Sequence, residues 1–128
     1  PLLAKSSIDQ VSVETAASGV DIAVIEALRG KDILLGVVDV GNEAVETPET
    51  VAERLHAALR YADPHHLYAC TDCGMMPLTR RAAEGKMRSL ARGAALVKEP
   101  LNSRLFSSPT VPSHVQRLVC VCSWSRSR

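Results

Sequence analysis

Three times before Val97 the spacing of apolar residues switches from a strand-like to a helix-like register, and this alternation narrows the fold more than any other property of the sequence. It defines an α/β chain with parallel strands, because each helix returns the chain to the starting edge of the sheet. The first strand is expected at Val11 to Thr15, closed by Ala-Ala-Ser-Gly at residues 16 to 19. A short helix then runs from Asp21, its cap, to Leu28, and Gly30 ends it. The second strand, Ile33 to Val40, is nearly continuous in apolar residues, as a parallel strand covered on both faces should be. Thr47 and Pro48 supply an N-cap and a first-turn proline for a helix that Asp63-Pro64 stops. The third strand lies around Leu67 to Cys70, and the last helix around Thr79 to Val97. In that helix Ala83, Met87, Leu90, Ala91, Ala94 and Val97 are expected inward. Arg80, Arg81, Lys86, Arg88 and Arg92 are expected on a solvated face.

Beyond Lys98 the periodicity is lost among Pro100, Pro109, Pro112 and several serines. The chain therefore divides into residues 1–99, a set of β-α units, and residues 100–128, an irregular tail expected to be disordered. Pro1 to Asp9 starts abruptly, with Leu2, Leu3, Ala4 and Ile8 reading as the end of a helix from a preceding unit. The net charge of +1 and the 3% aromatic content give neither the basic field nor the stacking platforms that nucleic-acid binding needs. No apolar run is long enough to span a bilayer, and no secretion signal opens the chain, so a cytoplasmic protein is expected.

Reactive groups in parallel α/β folds collect at the carboxyl ends of strands. Three candidates fall there: Glu14 after the first strand, Asp39 after the second and Cys73 just beyond the third. Zinc accepts carboxylate oxygen and thiolate sulfur together, so Glu14 and Cys73 are candidate metal ligands, although two ligands do not close a tetrahedral site. Plainer roles compete: Glu14 as a solvated strand end, Asp39 as a loop cap and Cys73 as a small buried hydrophobe. Cys70 and Cys73 form a C-x-x-C with no second pair at zinc-site spacing, and Cys70 reads as a strand core residue. His65 and His66 precede the third strand, on the wrong rim for such a site, and Cys120 and Cys122 lie in the irregular tail.

The strings Val-Ser-Val-Glu-Thr, Asp-Ile-Ala-Val-Ile-Glu-Ala-Leu, Gly-Val-Val-Asp-Val and Thr-Asp-Cys-Gly, in that order, resemble the catalytic domain of cobalamin-independent methionine synthase. The resemblance runs from about Ile8 to Val97 and implies the last three β-α units of an eight-unit TIM barrel, here incomplete. In that family zinc is held by a His-x-Cys pair, a glutamate and the cysteine of Asp-Cys-Gly, so the resemblance assigns Glu14 and Cys73 to the metal. It assigns Asp39 to the neighbourhood of the amino-acid substrate. The implied reaction is zinc-dependent methyl transfer from a methyltetrahydrofolate to the thiol of homocysteine, giving methionine. No His-x-Cys precedes Glu14, so the chain is expected to be inactive alone, and Gly41 stands where the methionine synthases carry a histidine. Two alternatives follow: a relative whose methyl donor is a corrinoid protein, and a non-catalytic half-barrel that associates through its open sheet edges.

Overall fold

The computed structural model describes the backbone of residues 2–105 and the side chains of residues 2–98. Three strands, β1 (Gln10–Glu14), β2 (Asp32–Val38) and β3 (Leu67–Thr71), form one parallel sheet in the order β1-β2-β3. A 3₁₀ helix, Ile22–Leu28, links β1 to β2, and α1 (Pro48–Ala58) links β2 to β3. After β3 comes α2, Arg80–Leu105. The α/β class and the parallel order expected from the sequence are both present, and the sheet is open.

Local chemistry explains each boundary. The Asp21 carboxylate accepts from the Ala23 amide and starts the 3₁₀ helix. The Thr47 hydroxyl accepts from the Thr50 amide, with Pro48 in the first turn of α1, where a missing N–H costs nothing. Asp63 caps another 3₁₀ turn, Pro64–His66, that delivers the chain into β3.

The register fixes which residues share a face, since paired residues of a parallel sheet project to the same side. Val13, Leu35 and Ala69 are level with one another, as are Val11, Ile33 and Leu67. These rows meet Val51, Leu55, Ala58, Leu90, Ala94 and Val97 of the two α-helices in one apolar core. The opposite face carries Ser12, Leu34 and Tyr68 in one row and Glu14, Gly36 and Cys70 in the next. In a closed barrel that second face would be the interior; here Ser12 and Glu14 are exposed, and Leu34 and Tyr68 are half-buried.

Helices α1 and α2 cross closely. A Cβ at Gly93 would lie 2.6 Å from Val51 Cβ and 2.7 Å from the Pro48 carbonyl oxygen, so only glycine lets the two backbones approach this far.

Three expectations need correction. Lys86 is not on the solvated face of α2: it is fully buried, on the stripe Ala82, Lys86, Ser89, Leu90, Ala94, Val97. Ala91, expected inward, is exposed, while Arg80, Arg81, Arg88 and Arg92 are outward as expected. The helix also continues past Val97 and through Pro100 to Leu105, so residues 100–105 are helical; a proline can sit inside a helix at the loss of one backbone hydrogen bond. Residues 106–128 of the expected tail, including Cys120 and Cys122, lie outside the described residues. At the other end the apolar start of the chain forms a three-residue 3₁₀ turn, Leu3–Lys5. Among the described residues no helix is long and apolar enough to cross a membrane.

Candidate active rim at the carboxyl ends of the strands

Glu14, Asp39 and Cys73 all stand at the carboxyl edge of the sheet. Glu14 closes β1, level with Gly36 and Cys70; Asp39 directly follows β2; Cys73 follows β3 by two residues. Glu14 is exposed on the face away from the helices, and its carbonyl accepts from the Ser18 hydroxyl at 2.6 Å, which turns the chain sharply after β1. Cys73 is exposed, and its carbonyl accepts from the Thr71 hydroxyl at 2.8 Å. Cys70, by contrast, is buried in β3.

Asp39 folds its carboxylate back over its own loop. It accepts from the Gly41 amide at 2.7 Å and from the Asn42 side-chain amide, the geometry of an Asx turn. Its backbone amide donates to the Glu46 carboxylate at 2.7 Å. Glu46 is the hub of this loop. Its other oxygen, Oε2, receives the Lys86 ammonium at 3.0 Å, Arg54 stands 3.6 Å from Oε1, and the Glu46 carbonyl accepts from the Ser89 hydroxyl. Lys86 also donates to the Ala44 carbonyl, and Arg54 to the Val37 carbonyl at 2.7 Å. Burial pushes the Glu46 carboxyl up, but the hydrogen bonds from Lys86 and from the Glu46 and Asp39 amides, with the Lys86 charge, outweigh this and hold it below the usual range. Glu43, three residues earlier, ties the same loop to the start of α2. Its carboxylate accepts from the Thr79 hydroxyl at 2.6 Å and the Thr79 amide at 2.9 Å, and these bonds lower its pKa.

Sequence reasoning did not single out Asp72. It is buried, and its carboxylate reaches across β2 to accept from the Thr15, Ala16 and Ala17 amides at 3.2, 3.1 and 2.9 Å. The available signal was Gly36, because a glycine inside an apolar strand marks a close approach. A Cβ there would lie 2.3 Å from Asp72 Oδ1.

His65 and His66 lie at the opposite rim, where His66 Nδ1 meets Asp32 Oδ1 at 2.8 Å. A surface cleft at that rim is lined by Arg29, Lys31, Tyr61 and His66; Glu14, Asp39 and Cys73 take no part in it.

A carboxylate and a thiol at one rim fit zinc in kind. In number they leave a tetrahedral shell half filled, and among the described residues no group of three or more His, Cys, Asp or Glu is placed to hold a metal ion.

Parallel β-α units whose strands end at one rim define a portion of an α/β fold of the barrel type. Residues 2–96 match the catalytic-domain model of the cobalamin-independent synthase, and the chain belongs to that family. It is 30% identical over 117 residues to a methionine synthase of Sulfurisphaera tokodaii, covering 91% of this chain and 35% of that protein. A methionine synthase of Thermococcus kodakarensis is 36% identical over 81 residues, 63% of this chain and 24% of that one. Among solved structures, a B12-independent methionine synthase from a Shewanella species, in complex with selenomethionine, superimposes with a TM-score of 0.78 at 40% identity, over 80% of this chain and 30% of that chain. The chain thus spans between a quarter and about a third of the length of these relatives.

Proposed function

We propose that this chain forms the last three β-α units of a methionine synthase-like barrel and contributes part of its active rim, for methyl transfer from a methyltetrahydrofolate to homocysteine. The observation that carries this reading is the common rim: the register aligns the strand ends so that Glu14, Asp39 and Cys73 emerge from three consecutive strands on one edge, within a family match that covers most of the chain. The selenomethionine bound by the Shewanella relative has the form of a methylated product, which agrees with a thiol acceptor.

In this reading Glu14 and Cys73 would hold zinc together with donors from outside the described residues. When bound, zinc lowers the pKa of a coordinated thiol and so makes it a nucleophile. The methyl group moves as its bond to the donor nitrogen breaks and a carbon–sulfur bond forms, and the donor nitrogen takes up a proton in place of the one the thiol gave up. Asp39 lies near the amino-acid substrate in this reading, on a loop that Glu46, Arg54 and Lys86 brace from below. A catalytic zinc site needs three protein ligands and an open position. The described residues supply two, so without further donors no methionine is expected to form from homocysteine.

A second reading of the donor rests on Gly41, which stands two residues after Asp39, where methionine synthases proper carry a histidine. A corrinoid-bound methyl group would then replace the folate.

Zinc titration of the full chain tests the proposal. Any zinc that the chain binds is expected to be lost in Cys73→Ser and retained in Cys120→Ser. Zinc binding indifferent to Cys73 would refute the assignment of that thiol.

A further inference from the structure

Asp72 occupies a position that no chemical step requires, yet the fold makes unusual concessions to it. Its carboxylate is buried and lies over β2, in the space where the Gly36 side chain would stand. Any residue larger than glycine there would collide with both Asp72 Oδ1, at 2.3 Å, and Asp72 Cα, at 2.8 Å. Oδ1 accepts from Thr15 and Ala16, Oδ2 accepts from Ala17, and the Asp72 amide donates to the Val38 carbonyl at 2.9 Å. One residue therefore ties the exits of all three strands together. Thr15 directly follows Glu14, and Cys73 directly follows Asp72.

We propose that Asp72 is a positioning residue, which holds Glu14 and Cys73 at a fixed mutual separation by clamping the turn after β1 to the turn after β3; the proposal rests on reading those two side chains as partners. An aspartate suits the task because both of its oxygens accept. An asparagine would keep one acceptor and turn an N–H₂ group toward a backbone N–H, so at least one of the three bonds would become a repulsion. The charge also strengthens the bonds, since an ionised acceptor binds amides roughly twice as strongly as a neutral one.

The full chain carrying Cys120→Ser, Cys122→Ser and Glu14→Cys, with spin labels at positions 14 and 73, gives a distance distribution that needs no metal. Asp72→Asn is expected to broaden that distribution from a single narrow maximum. It should also speed hydrogen exchange of the Thr15, Ala16 and Ala17 amides about tenfold, with the β2 amides still protected. Gly36→Ala, which keeps Asp72 but displaces its carboxylate, is expected to do the same and serves if Asp72→Asn does not fold cooperatively. An unchanged distance distribution in a folded variant would overturn the proposal, even with faster exchange, because Asp72 would then be a loop staple with no influence on the pair.

A separate arm adds cobalt(II) to the otherwise native chain and reads the sulfur-to-cobalt absorption that Cys73→Ser removes. Asp72→Asn is expected to weaken that binding on the order of 10- to 100-fold, as loss of a supporting partner does in metal sites. If the native chain gives no Cys73-dependent absorption, the metal reading fails while the distance measurement still decides the role of Asp72.

Discussion

Lys86 shows how a single charged residue can be at once buried and necessary. Its side chain is fully enclosed, and its ammonium is shared between the Glu46 carboxylate and the Ala44 carbonyl. Removing one partner of such a pair strands the other charge away from water, at a cost of about 3–5 kcal/mol. Glu46→Ala is therefore expected to lower the urea midpoint strongly. Lys86→Met, which replaces the cation by an apolar chain of similar shape and leaves Glu46 with Arg54, should cost less. Acid should act through the same group. The folded-state pKa of Glu46 is depressed, so its contribution is complete at neutral pH, above the ordinary glutamate range, and is lost as the pH falls through the depressed value. In Glu46→Gln that part of the acid-induced loss should vanish, which stability measurements from neutral pH down through and below the ordinary glutamate range would show. None of this could be read from the sequence, because helical periodicity assigns a lysine outward by type, and its partner lies forty residues away.

At the level of elements, the contact between α1 and α2 depends on a glycine. Gly93→Ala places a methyl group against Val51 and the Pro48 carbonyl. A backbone atom cannot swing aside as a side-chain tip can, so a loss of about 1–3 kcal/mol is expected. Gly74 is the control: a Cβ there meets nothing within 4 Å, and its φ is not positive. Gly74→Ala should lie within about 0.5 kcal/mol of the native chain. Thermal unfolding of the two variants side by side checks both. If Gly93→Ala were as stable as Gly74→Ala, the close crossing of the helices would be wrong.

For the whole molecule the open sheet dominates. Among the described residues β1 and β3 each pair with a single neighbour, β2, so their outer edges present unpaired backbone donors and acceptors there. Among the described residues the face bearing Ser12, Glu14, Leu34 and Tyr68 has no layer packed on it as complete as the helical layer on the other side. Unprotected edges of this kind recruit further strands. Sedimentation at rising concentration is expected to give an average mass above the 13.8 kDa of one chain, through self-association or by capture of complementary β-α units. A single species at monomer mass at all concentrations would contradict this.

The sequence by itself determined the alternation of strands and helices, the parallel direction, the caps at Asp21 and Thr47 and the three residues that emerge at one rim, because periodicity, capping and strand order are local properties. Only the tertiary structure decided what lies across β2. The Asp72 carboxylate above Gly36, the burial of Lys86 against Glu46 and the folding of Asp39 over its own loop each join residues distant in the chain or set a side-chain direction, and neither spacing nor residue type encodes such a meeting.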